Sequence, residues 1–479
     1  MSTVKSLLTC TAMLVALAAN ASEQNLPELG DRTSGIVSLE QERKLGQQFL
    51  RSVLAQVPTV DDALLKDYLE HLIYDLAEHS ELKDRRIETV LIDSAQLNAF
   101  AAPGGIVGVN KGIFLYAQTE HELAGILAHE LAHLSQRHFA RGVEQGRRNA
   151  MVTLAGLLAT VVLMSTVGGD AGMAAFMGAQ GVAQNEALKY SRSRESEADR
   201  VGINTLHRAG RDPRAMAYMF ERLAQINRFA GSRVPDFLQT HPVTKQRISD
   251  SYNQTSSLPL KVWPARLDYQ LMRARVQVST EESPKRSEIL MREKLKDAEG
   301  VARTAATYGL ALALIQQRKA DEALALIRGL RANAPHKIAY AITEAEALVA
   351  GDKLMRANEV LAGALAISPD NYPLAMAHAD VLLKLGKPEG AARLLTTQTQ
   401  RRPGDADVWY LLAETYGLLD DIPGVHQARA EYFVRTGDLD QAVKQLQFAV
   451  PLIRDDFQLN AKITQRIREI HSLRQEARR

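Results

Sequence analysis

Three prolines in the C-terminal half stand 34 residues apart, at Pro335, Pro369 and Pro403. Three alanines keep the same spacing, Ala323, Ala357 and Ala391, each 12 residues ahead of its proline. A unit that short cannot bury a hydrophobic face alone, so copies must stack on one another. Small residues mark where paired helices touch, and a proline ends each unit because it cannot continue a helix. Chance prolines would not bring the alanines along. Ala and Leu are abundant and aromatics make up only 5%, which favours helices over strands.

This period and pattern match tetratricopeptide repeats. Trp409, Leu412, Ala413 and Tyr416 supply the first helix of a further unit in register. The register then slips at Gly437-Asp438 and Ala442, where an extra helix or a degenerate unit is expected. The repeats explain less than half of the 479 residues, and at roughly 150 residues per domain the remainder leaves room for another domain. A formal charge of +2 argues against a generic nucleic-acid binder, which carries a basic excess.

The N-terminus reads as an export signal. Lys5 is followed by the apolar run Leu7 to Ala18 and by Ala19-Asn20-Ala21, a small-x-small cleavage pattern, so the mature chain is expected to start at Ser22. The single cysteine, Cys10, would be removed, which excludes disulfides and thiolate metal sites. The implied compartment is the periplasm of a Gram-negative cell, or the exterior otherwise. Expected boundaries are a signal peptide at 1–21, a first folded domain at 22–258, a helical linker at 259–300 and the repeats at 301–479.

Between signal and repeats, Leu45, Phe49, Val53 and Val57 recur at helical spacing, and Asp61-Asp62 begins a second helix. Ile87 to Asp93 alternates like a strand, Asn98 to Gly105 reads as a tight turn, and Ile106 to Asn110 as a returning strand. Thr119, with Glu122 three residues on, should cap a long helix. Residues 151–183 form two apolar, glycine-containing runs broken at Gly168-Gly169-Asp170. Each is shorter than the ~20 residues of a membrane span, so core helices or a flap over the cleft fit better; peripheral membrane contact through this stretch is a second reading.

The capped helix carries His129-Glu130-Leu131-Ala132-His133. Spacing of four puts both imidazoles on one face, where they can hold one Zn²⁺, with Glu130 placed to take a proton from its water. Gln136 and Phe139 stand where a metzincin has its glycine and third histidine, so another ligand must come from further along. His138 is expected to point off the ligand face, and His121 to sit on the helix surface. In Arg194-Glu195-Ser196-Glu197-Ala198-Asp199, Glu195 and Asp199 share a helix face while Glu197 points elsewhere. Glu195 suits a ligand and Asp199 a hydrogen-bond partner for a ligating imidazole. His241, before Pro242, reads as an oxyanion donor, as a gate filling the metal's fourth position, or as a turn residue. Arg247 reads as helix packing and a surface salt bridge.

Together Asn98 to Gly105, His129 to His133, Arg194 to Asp199, and His241-Pro242 with Arg247-Ile248 resemble the HtpX and CAAX-prenyl-protease family of gluzincins over roughly residues 35–255. The resemblance implies an α+β metallopeptidase domain, mostly helical with a small sheet, followed by an all-α tetratricopeptide solenoid. It implies His129, His133 and Glu195 as ligands of one Zn²⁺ per chain and Glu130 as catalytic base. The export signal and repeats resemble a periplasmic branch. That implies chaperone-like quality control of unfolded or misassembled outer-membrane proteins, with β-barrel assembly machinery contacted through the repeats. A substrate would lie extended against an edge strand formed by Gly104, Gly105, Ile106, Val107, Gly108 and Val109. The competing class is a repeat-based scaffold whose protease is gated or mostly silent.

Overall fold

The computed structural model describes residues 37–145, 192–229 and 235–478. The expected signal peptide and the apolar stretch 151–183 lie outside the described residues.

Helix Leu39–Gln56 begins with a capping box in which Ser38 Oγ accepts from the Gln41 N–H and the Gln41 side chain accepts from the Ser38 N–H. Asp62 caps helix Ala63–Glu78 by accepting from the Leu65 N–H. Between these helices lies a three-stranded sheet of β1 (Glu88–Ile92), β2 (Ala99–Ala102) and β3 (Ile106–Asn110), in the order β1-β3-β2. β1 runs parallel to β3, and β2 antiparallel to it. One sheet face packs Val90, Ile92, Phe100 and Ile106 on Phe49, Leu50 and Val53 of the first helix. The other buries Ile87, Leu91, Val107 and Val109 with Leu65 and Leu69 of the second.

Two strand expectations need correction. Asn98 to Gly105 is not one turn, because Ala99–Ala102 pairs with β3 and only Pro103-Gly104-Gly105 turns the chain. Gly104 and Gly105 have φ of 77° and 87°, and a Cβ on Gly104 would sit 2.7 Å from Arg43 Cα, so glycine also lets the first helix approach. Nor is the segment Gly104, Gly105, Ile106, Val107, Gly108, Val109 an edge. β3 has a neighbour on each side, which spends its main-chain groups within the sheet. The open edges are β1 and β2.

Helix Glu120–Ser135 crosses beneath β2, capped by Thr119, whose side chain accepts from the Glu122 N–H. Helix Arg192–Arg208 packs along it, and helices Ala215–Phe229 and Lys245–Thr255 close the far side. From residue 267 onward every described regular element is helical. Four antiparallel pairs start at Gly300, Ile338, Tyr372 and Ala406, and Ala323, Ala357 and Ala391 are fully buried where the helices cross. Pro335, Pro369 and Pro403 each follow the end of a second helix by two residues. After the slip, Leu439–Ala449 and the longer Phe457–Arg478 end the array. The pair Leu267–Thr280 and Pro284–Asp297 stacks on helix Gly300–Gln316, and one hydrophobic core runs from the sheet into the repeats. Helix Ala63–Glu78 is tied to the array by Arg402 to Glu70, by Lys66 to Asp407, and by the half-buried Arg275, which joins Asp62 to Glu346. Among the described residues no helix is long and apolar enough to cross a membrane.

Candidate metal centre

Helix periodicity puts His129 and His133 one turn apart on the face of Glu120–Ser135 that meets Arg192–Arg208. Their Nε2 atoms lie 3.0 Å from each other. From the facing helix, Glu195 brings Oε2 to 3.5 Å from His129 Nε2 and Oε1 to 3.4 Å from His133 Nε2. His241, at the end of the short helix Asp236–Thr240, completes the group. Its Nδ1 is 3.2 Å from both Glu195 oxygens and 3.4 Å from His129 Nε2. All four residues are buried, and one donor atom from each lies within 4.8 Å of the others. Donors about 2.0–2.1 Å from a tetrahedral zinc stand about 3.4 Å apart. The donor set and its spacing therefore fit a metal ion.

A second layer holds these donors. Asp199 Oδ1 lies 2.9 Å from His129 Nδ1. Arg247 Nε and Nη2 donate to the two Asp199 oxygens at 2.7 Å each, while Nη1 is 3.0 Å from Glu195 Oε2 and donates to the Pro242 carbonyl at 2.9 Å. The expected surface salt bridge at Arg247 is thus a buried one. Two buried carboxylates need a cation, and the guanidinium supplies it. His138 stands off the ligand face as expected. It is outside the four-donor group, yet its Nδ1 lies 2.8 Å from His133 Nδ1, and its Nε2 contacts Glu197 Oε2 at 3.1 Å. The partly exposed Glu197 is held by His138 and Arg141. His121 is buried, accepting from the Asp212 N–H and packing on Trp263.

Burial dominates the electrostatics and polar partners redirect it. Burial raises the Glu130 pKa, only partly countered by His241 and His129. It also pushes His133 down to about 3. For His129 burial opposes charge, but Asp199 and Glu195 prevail and raise its pKa to about 9. Glu195 also resists its burial, held well below its ordinary value by His241 and by hydrogen bonds from the three imidazoles. In Asp199 the bonds from Arg247 and His129 likewise outweigh burial and lower the pKa. The Ala101 backbone, on the outer edge of β2, lies near the Glu130 carboxyl and favours its charged form, though less than burial opposes it. Glu130 Oε1 has no hydrogen-bond partner among the described residues and lies 3.7 Å from His241 Nε2.

Residues 63–253 match the model of peptidase family M48, and residues 348–415 match a tetratricopeptide repeat model. The beta-barrel assembly-enhancing protease of Escherichia coli O157:H7 is 31% identical over 465 residues, covering 96% of this chain and 94% of that protein. The chain belongs to that protease family. The Yersinia pestis member is 31% identical over 459 residues, covering 95% and 93% of the two chains. A mitochondrial metalloendopeptidase OMA1 of Arabidopsis thaliana is 30% identical over 171 residues, 36% of this chain and 32% of its own length. This family member is accordingly a metalloprotease, with an M48 peptidase domain followed by tetratricopeptide repeats.

Proposed function

We propose that the chain is a zinc endopeptidase in which His129, His133 and Glu195 hold one Zn²⁺ and Glu130 is the catalytic base. The observation that carries this is the unpartnered Glu130 Oε1 beside three convergent donors. When bound, the zinc supplies Lewis acidity, activating water and polarising the scissile carbonyl. Glu130 takes the proton from the attacking water and passes it to the leaving amine. Its raised pKa suits that shuttle, since a carboxyl made more basic holds the proton between the two steps. Asp199 orients His129, and Arg247 neutralises Asp199 and Glu195 together. The substrate main chain runs along the outer edge of β2. Ala101 faces outward there and reaches Glu130, which supports this path over the central β3.

His241 favours a gated form of the same enzyme. Its approach to Glu195 and His129 places an imidazole where a fourth ligand would sit, so release of His241 would admit water and substrate. On this reading His241 restrains the protease and the repeats act continuously, with chaperone-like binding and proteolysis coexisting in one chain. The relatives' name and the repeats support a periplasmic role in assembly and quality control of outer-membrane β-barrels, with assembly factors bound through the repeats.

Metal content and casein hydrolysis, compared between the parent and Glu130→Gln, test the mechanism. Glu130→Gln should keep zinc and lose about 10²–10⁴-fold in rate. Full activity in that variant would refute Glu130 as base.

A further inference from the structure

β1 lies at the opposite edge of the sheet from the strand beside Glu130. Its inner side is spent on β3, as shown by Glu88 N–H donating to Gly105 O and Ile92 O accepting from Lys111 N–H. Alternation turns the main-chain groups of Thr89 and Leu91 outward. Residues 58–60 cover only the far end of that outer side, where Val60 N–H donates to Leu91 O and Asp93 N–H to Pro58 O. No backbone partner for the Thr89 N–H, the Thr89 C=O or the Leu91 N–H occurs among the described residues, and Thr89 Oγ1 is buried without a partner as well.

These groups face a groove of about 530 Å³. Leu50 and Leu54 form one wall, and Lys66, Leu69, Glu70 and Tyr74 the other. These walls belong to the helices on opposite faces of the sheet, so the groove opens on the edge of β1 and not on a face. The loop 402–405 of the repeat array, with the helix ends that flank it, borders it from outside. Arg402 to Glu70 and Lys66 to Asp407 pin that loop in place.

We propose that this groove is a second peptide site, which takes an extended segment of another protein chain as an added strand on β1. A row of unpaired, shielded N–H and C=O groups is matched by another extended main chain, and a helix or a small anion cannot satisfy it. The leucines on both sides favour apolar β-branched side chains, and Lys66, Glu70 and Glu88 beside them favour polar ones in alternation. The two edges of the sheet then have separate uses, β2 for cleavage and β1 for holding. The site stands independently of the catalytic assignment.

The probe is a short fluorescent peptide of alternating valine and threonine with a lysine at each end, bound to the full chain carrying Glu130→Gln so that none is cut. Anisotropy gives its affinity. Thr89→Pro removes an outward N–H without touching the ladder to β3. Gly404→Trp fills the groove from the loop, where an added Cβ meets nothing within 4 Å, so folding is spared even if the proline variant is damaged. Each should weaken binding at least tenfold, as should N-methylation of alternate peptide amides. Gly329→Trp, on repeat helix Ala320–Asn333 away from both sheet edges, where an added Cβ also meets nothing within 4 Å, should leave the affinity unchanged. Unchanged binding by Gly404→Trp, undiminished binding of the N-methylated peptide, or an equal loss through Gly329→Trp would overturn the proposal.

Discussion

Replacing Arg247 by Met isolates what its charge does. The side chain is 5% exposed, makes the two 2.7 Å bonds to Asp199, approaches Glu195 at 3.0 Å, and lies 4.7 Å over the Phe220 ring. Methionine refills most of the stem, so packing changes stay below about 1.5 kcal/mol. Removing the cation leaves two buried carboxylates facing each other with only imidazoles between them, and breaking a buried pair from one side costs about 3–5 kcal/mol. At a urea dependence of about 2 kcal/mol per M, the midpoint should fall by about 1.5–2.5 M in metal-free protein. The chain has two tryptophans, and Trp263 packs on His121 of the motif helix. In a Trp409→Phe background, Trp263 fluorescence therefore reports this domain. Added zinc should reduce the loss, because a dication at the four donors replaces part of the missing charge. Arg247→Lys should recover only part, since one ammonium cannot serve Asp199, Glu195 and Pro242 together. A metal-free shift under about 0.5 M would refute the view that Arg247 neutralises the site.

His241→Ala should raise casein hydrolysis and self-cleavage with zinc retained if His241 is a gate; a fall of ~10²–10³-fold would instead make it an oxyanion donor. Asp236 is 2% exposed with Oδ2 unpartnered among the described residues, and burial pushes its pKa up to about 6. The unfolded carboxyl ionises first, near 3.9, so stability is lost as pH rises from about 4 to 6 and stays lost above; Asp236→Asn should add about 1–3 kcal/mol at pH 7–8 and nothing at pH 4, read from urea midpoints. A fragment 259–479 should melt cooperatively by circular dichroism, whereas 301–479 should melt broadly. Tyr308 is fully buried, and Met291 packs against Gly309 from helix Pro284–Asp297, which the shorter fragment lacks; equal melts would contradict this.

What could be read from the sequence is what a single element encodes. The four-residue histidine spacing, the Thr119 cap and the 34-residue register are local patterns, and the structure reproduces each of them. Glu195 and Asp199 were legible because their spacing puts both on one helix face. Residues misplaced by sequence alone depend on a partner far along the chain. Arg247 looks like an ordinary helical arginine until Asp199, 48 residues earlier, is seen to face it. His138 appears off-face by helical geometry, but Arg137 adopts φ of 48° and breaks the helix, turning His138 back towards His133. The strand order has the same origin. A short turn between β2 and β3 is visible locally, but β1 inserts beside β3 by parallel pairing, and no residue pattern along the chain announces a parallel neighbour. That pairing moved the open edge from β3 to β2 and β1. The placement of His129, Glu130 and His133 on one helix was therefore legible in advance, whereas the two open edges of the sheet required the fold.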